Sequence, residues 1–256
     1  DVAYFADTYG IIGNEWYKHL DRNSNAGSIY GGLSEKDLLM MNKMAQKNRL
    51  VIAEFNTVGF PTPEDMRKQF EAFYGIQWTG WMVRSIASLD TVDNPDLPRW
   101  IINQYRNENN GEWPFKRGGI LYVHESGRIM VMEDGRDLDG WIPDLNTTEA
   151  FRKEADVPEH LIYPYWTDVW KNLNDSNEAV ARFILPVNKA GMQLLSKNEV
   201  PDTFPAIIRR TSGKRFYYFC GDFADNPTKF RFNQLAGITG LKFLLYNAID
   251  KTDRNR

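Results

Sequence analysis

The chain carries a single cysteine, Cys220, in 256 residues. One thiol excludes an internal disulfide and any multi-cysteine zinc site, and it leaves the compartment open. The three histidines, His19, His124 and His160, are scattered. None has a second His or Cys at ligand spacing, so no metal is expected. A basic excess is also missing. Lys and Arg number 31 against 34 Asp and Glu, for a net charge of −3, which argues against a reader of nucleic-acid backbones. The cations are dispersed, so no membrane-surface patch stands out. No stretch is long and apolar enough to span a membrane. Neither "GGL" nor "GDFADN" is followed by the Gly-Lys-Ser/Thr of a phosphate loop, no G-x-S-x-G elbow occurs, and no cofactor is expected.

What is present is ordinary globular composition, 42% hydrophobic and 25% charged, enough to bury a sizeable core. Aromatic residues make up 14% of the chain, with 8 Trp and 12 Tyr. They supply core volume, and the sharper reading is that some form flat platforms for sugars. The chain opens at Asp1 with no Met, and Val2–Phe5 is already strand-like. That leads us to expect a processed product, with a periplasmic location or an anchor upstream of Asp1.

The first third alternates strand and helix. "DVAYFADTYG" reads as a strand ending at Asp7, with Thr8, Tyr9 and Gly10 in a polar turn. "SIYGGL" is a short apolar piece closed by Gly31-Gly32. Ser34 and Asp37 form a capping box for a helix over 35–47. A strand over 50–55 follows. "TPED" (62–65) then starts a helix, with Thr62 as cap and Pro63 in the first turn, and Gly75 is placed to end it. "GIQWTGW" (75–81) reads as extended. This alternation predicts an α/β fold with a doubly wound, mostly parallel sheet and helices on both faces.

Later segments elaborate on that pattern. A helix is expected over 94–107 and a β-hairpin over 118–134. Residues 135–180 show little periodicity. We read the chain as one α/β domain over 1–256, with 94–180 as an inserted elaboration or lid. A strand over 181–187, a helix over 188–198, a hairpin turning at Ser212-Gly213 and a closing helix over 234–249 complete the prediction.

Three apolar strands end in polar residues: at Asp7, at Glu54 and Asn56, and at Asp222 with Asp225 and Asn226 beyond. In open parallel sheets, ligands bind outside the carboxyl ends of the strands. Were these three strands parallel, Asp7, Glu54 and Asp222 would share one edge as candidate catalytic carboxylates. Thr8, Tyr9, Gly31, Gly32, Asn56, Thr57, Asp225 and Asn226 would be candidate ligand contacts there. Each also has a structural reading as a turn or cap residue. Glu54 is the hardest to dismiss, because a carboxylate in an apolar strand needs a partner or takes a raised pKa. Trp78 and Trp81 are expected on opposite faces of their strand unless Gly80 breaks the alternation, one lining the crevice and one in the core. Cys220 reads as a buried small residue.

The stretch "SIYGGLSEKDLLMMNKMAQKNRLVIAEFNT" resembles class I glutamine amidotransferase-like domains, where a Gly-Gly turn, a helix and a strand precede the nucleophile. "FPAIIRRTSGKRFYYFCGDFADNP" is similar to the late hairpin of their ThuA-like relatives. The resemblance covers about residues 1–85 and 181–249. It implies a flavodoxin- or amidotransferase-like scaffold. Where the family's Gly-x-Cys-x-Gly elbow would stand, this chain has Glu54-Phe55-Asn56-Thr57-Val58, and no His-x-Glu pair completes a triad. The implied protein is an atypical member that does not hydrolyse glutamine.

The expected function is binding of a polar, carbohydrate-like small molecule or glycan at the strand ends. One alternative is a glycoside-type hydrolase using Glu54 with Asp7 or Asp222, which needs its two carboxyl groups about 5–9.5 Å apart. The other is an envelope scaffold or interaction domain.

Overall fold

The structure is a computed structural model and describes residues 2–5, 8, 10–12, 28–95 and 97–223. Among these are thirteen strands and five helices. In order they are β1 (Val2–Phe5), β2 (Ile11–Ile12), β3 (Ser28–Tyr30), α1 (Glu35–Gln46), β4 (Leu50–Glu54), α2 (Glu64–Tyr74), β5 (Ile76–Ile86) and α3 (Arg99–Glu108). There follow β6 (Gly119–His124), β7 (Ile129–Glu133), β8 (Asp144–Thr147), α4 (Glu149–Ala155), β9 (His160–Ile162), β10 (Thr167–Asn172), β11 (Glu178–Ile184), α5 (Lys189–Lys197), β12 (Thr203–Arg210) and β13 (Phe216–Phe219).

The expected doubly wound, mostly parallel sheet is not what forms. Seven strands hydrogen-bond in the order β1-β4-β13-β12-β11-β8-β9, and four in the order β10-β5-β6-β7. The pairs β1–β4 and β4–β13 are parallel, whereas β11–β8, β8–β9, β5–β6 and β6–β7 are antiparallel. The physical reason lies at β5. A doubly wound fold needs the strand after α2 to return beside β4. Instead, β5 runs for 11 residues and pairs with β6 in the second sheet. Short connections then commit β6 and β7 to antiparallel pairing. Likewise, among the described residues β3 pairs only with β2, as a two-stranded ribbon. Residues 144–147 and 160–162, in the stretch read as a lid, are strands of the seven-stranded sheet.

Backbone contacts divide the chain into two units. The first holds Asp1–Gln77, Asn172–Glu178 and Ile208–Phe219; the second holds Trp78–Lys171, Ala179–Ile207 and Cys220–Arg256.

In the first unit, β4 is buried at all five positions between β1 and β13, as a strand with neighbours on both sides must be. Ser34 and Asp37 form the expected capping box at the start of α1. Gly75 ends α2 in the left-handed conformation, as expected. Thr62 is not the helix cap: α2 starts after Pro63, which holds extended backbone. An aromatic cluster holds α2 in place. Phe70 lies 5.9 Å from Tyr218, and Tyr74 lies 4.5 Å from Phe216, between ring centroids.

In the second unit, α3 packs on the four-stranded sheet. Ile101 and Ile102 join Leu121, Val123, Ile129 and Val131 in one core, and Tyr105, Trp113 and Phe115 meet edge to face. Gly80, at φ +83, breaks the alternation along β5. Trp78 and Trp81 are both buried, and the Trp78 indole N–H donates to the Trp81 carbonyl at 3.2 Å. A side chain at Gly80 would meet the His124 ring, which explains the glycine.

Candidate functional site

Three chain segments meet at the carboxyl ends of β1 and β4 in the first unit. Thr8 follows β1, Gly31-Gly32 follows β3, and residues 55–62 follow β4. The Thr8 hydroxyl lies 3.0 and 2.8 Å from the carbonyls of Asn56 and Thr57, its acceptors. The Gly32 N–H donates to the Thr8 carbonyl at 2.6 Å. The Thr62 hydroxyl accepts from Leu33 N–H at 2.8 Å and donates to the Thr57 carbonyl at 3.3 Å. Packing is equally close. A β-carbon on Gly10 would lie 2.4 Å from the Tyr30 carbonyl oxygen and 2.5 Å from Pro61, and one on Gly32 would lie 2.6 Å from Thr62 N. The Phe60–Pro61 peptide is cis, and Asn56 holds φ +65.

At the centre of this junction is Glu54, 1% exposed. Its carboxylate accepts a hydrogen bond from the Tyr4 phenol at 2.5 Å. A carboxylate removed from water keeps its place only when hydrogen-bonded. Tyr4 stands on the neighbouring strand, two residues beyond the start of the β1–β4 register, and is 42% exposed. The backbone carbonyl of Glu54 is also engaged, by the Thr57 N–H and hydroxyl.

The arrangement sorts the candidate residues. Glu54, Thr8, Gly31, Gly32, Asn56 and Thr57 lie together at this junction. Thr8, Thr57 and the Gly32 N–H, however, are engaged in holding the loops and so fix geometry. The Asn56 carboxamide and the Gly31 N–H stay available, as neither makes a hydrogen bond among the described residues, although the Asn56 carbonyl accepts from Thr8. Around them stand two more exposed rings, Tyr30 at 63% and Phe60 at 67%. Sequence reasoning passed over Tyr4, Tyr30 and Phe60. The available signal was an aromatic in a turn: Phe60, between Gly59 and Pro61, has no strand or helix face to bury it.

Trp78, Trp81 and Asp222 belong to the second unit. Asp222 N–H donates to the Trp166 carbonyl at 3.3 Å. Asp7, Tyr9, Asp225 and Asn226 lie outside the described residues, as does the helix expected over 234–249.

Cys220 is fully buried. Burial, and then the nearby Asp168 charge, push its thiol well above the ordinary range. Thiol rather than thiolate therefore dominates at neutral pH, and Cys220 is not a nucleophile. Excess iodoacetamide is expected to leave the native protein unlabelled and to add one group per chain after unfolding, read by intact mass. Rapid labelling of the native protein would contradict this.

Among the described residues no cluster of His, Cys, Asp or Glu could hold a metal ion, and no helix is long and apolar enough to cross a membrane. No known family model matches the chain, and no curated protein matches it.

Proposed function

We propose that the protein binds a carbohydrate-like polar ligand at the carboxyl ends of β1 and β4. The observation that carries this reading is the ring of exposed aromatics, Tyr4, Tyr30 and Phe60, on segments that converge around the buried Glu54. An exposed ring is an apolar face that water solvates poorly, and the apolar face of a sugar can cover it. The Asn56 carboxamide, the Gly31 N–H and the Tyr4–Glu54 pair supply hydrogen bonds for a sugar's edge. Of these groups Glu54 is buried, and a buried hydrogen-bonding group gives specificity, because an analogue lacking the matching hydroxyl leaves it unpaired. The hydrolase alternative would pair Glu54 with Asp7, outside the described residues, or with Asp222, in the other unit.

The test is calorimetric titration with a panel of neutral, acidic and amino sugars and their oligomers. At least one is expected to bind. Tyr30→Ala and Phe60→Ala are each expected to weaken that binding up to about tenfold, because an aromatic contact contributes about 0.5–1.5 kcal/mol. As both rings are exposed, neither change should alter stability by more than about 0.5 kcal/mol. Glu54→Gln, close in shape, is expected to keep the fold and lose the ligand. No binding across the panel, or binding indifferent to both ring deletions, would sink the proposal.

A further inference from the structure

The second unit contains a cleft of about 640 Å³, lined by β7, the end of α3 and one face of α5. It shares no residue with the Glu54 junction. Its floor is the free edge of a sheet. Among the described residues β7 is the last strand in the order β10-β5-β6-β7. The ladder determines which backbone groups face outward. His124 N–H donates to the Arg128 carbonyl and Asp134 N–H to the Gly118 carbonyl, while Tyr122 pairs with Met130 and Ile120 with Met132. Residues 128, 130, 132 and 134 thus face β6, and Ile129, Val131 and Glu133 face the cleft side.

Half of that outward edge is closed by side chains. The Glu133 N–H donates to Asp137 Oδ2 at 3.0 Å, and Arg136 Nη2 donates to the Val131 carbonyl at 3.3 Å. Arg136 and Asp137 are themselves an ion pair at 2.6 Å. The start of α5 packs against this same end, where a side chain on Gly191 would strike the Asp137 carbonyl and Met132. The other half is open. The Ile129 N–H and carbonyl and the Val131 N–H have no partner among the described residues, yet Ile129 and Val131 are 8% and 3% exposed. Natural sheets protect their edges, because unpaired strand backbone recruits another strand. Here one half has that protection and the half facing the cleft lacks it.

The charges of the lining indicate what kind of strand would fit. Its two carboxylates are engaged, Asp137 as above and Glu108 by Gln104 at 2.7 Å. Its other cations, Arg128 and Lys197, have no carboxylate partner among the described residues; Arg128 lies over the Trp81 ring at 5.2 Å. Ala190, Gln193, Leu194 and Lys197 follow helical spacing and form one wall.

We propose that this cleft binds an extended acidic peptide segment of a partner protein as an added strand on β7. Main-chain hydrogen bonds to Ile129 and Val131 provide the pairing, and Arg128 and Lys197 select carboxylate side chains. Strand addition at an open edge is an established mode of peptide recognition.

The probe is a fluorescein-labelled octapeptide of alternating Val and Glu, titrated against the full chain and read by anisotropy. Saturable binding is expected. An Arg128→Ala/Lys197→Ala double variant is expected to bind at least tenfold more weakly. A peptide with Lys in place of Glu is expected not to bind. A peptide N-methylated on alternate residues, which keeps its charge but loses its N–H donors, is expected to lose at least tenfold. Hydrogen exchange supplies the local readout: the Ile129 and Val131 amides should slow at least tenfold when peptide is added. Equal binding of the N-methylated peptide would reduce the site to an unspecific charge contact and overturn the proposal. Unchanged exchange at Ile129 and Val131 would also overturn it. So would amides already protected without peptide, which would assign the edge to the chain itself.

Discussion

Gly32→Ala is expected to lower the free energy of unfolding by about 2–5 kcal/mol, from left-handed backbone strain of about 1–2 kcal/mol and overpacking of about 1–3 kcal/mol. Gly32 holds φ +75, and its added β-carbon would lie 2.6 Å from Thr62 N, 2.7 Å from Thr62 Cα and 2.8 Å from the Pro61 carbonyl carbon. These are backbone atoms, so no side chain can turn aside to relieve the contact. Gly213 provides the control. It holds φ +69 in the β12–β13 turn, and an added β-carbon there meets nothing within 4 Å. Gly213→Ala should therefore show the backbone strain alone, about 1–2 kcal/mol. The comparison is made by urea unfolding at constant m. Equal losses at the two glycines would show that the Gly31–Thr62 junction is not tightly packed, and the binding site built on it would lose its rigidity argument.

Phe70→Ala is expected to cost about 3–5 kcal/mol, the usual range for emptying a buried aromatic position. Phe70 is 1% exposed, with its ring 4.9 Å from Tyr74 and 5.9 Å from Tyr218 between centroids. It joins α2 to the parallel strands, and so anchors the far end of the loop that begins at Glu54. Phe73, one turn along α2, is only partly buried and lies under Lys214, whose Nζ is 4.1 Å from the ring centroid. Phe73→Ala is expected to cost less, under about 2 kcal/mol. Thermal and urea melts of both variants decide the matter. A Phe73 loss equal to or larger than the Phe70 loss would refute the assignment of Phe70 as the anchor.

Much of the local structure was legible without coordinates. The capping box at Ser34 and Asp37, the stop at Gly75, the hairpin over 118–134 and the helix after Asn188 are short-range devices. Their partners lie within a few residues, so the pattern contains the whole interaction. The Glu54 junction was legible for a related reason. A strand of Leu50, Val51, Ile52 and Ala53 that runs into Glu54 must either pair that carboxylate or expose it, and both outcomes mark the strand end. Thr62 shows the opposite case. Its place before Pro63 predicts a cap, yet its hydroxyl bonds Leu33 and Thr57, and Leu33 lies 29 residues away. The roles of Thr8 and Thr57 as loop fasteners, and the exposure of Tyr30 and Phe60, likewise depend on which segments meet.

The sequence by itself determined several short-range devices, among them the α1 capping box, the stop at Gly75 and the hairpin over 118–134, and it marked Glu54 at the end of β4, because each follows from residue type and spacing along a few turns of chain. Only the tertiary structure decided how the strands associate. The strand–helix alternation of residues 3–81 is compatible with a doubly wound sheet, but strand direction depends on which edge β5 finds, and that edge belongs to β6, far along the chain. The same long-range choice kept β1, β4 and β13 parallel while β8, β9 and β11 ran antiparallel. Pairing between distant segments is set by the total burial and hydrogen bonding of the folded chain, and no local pattern contains that sum.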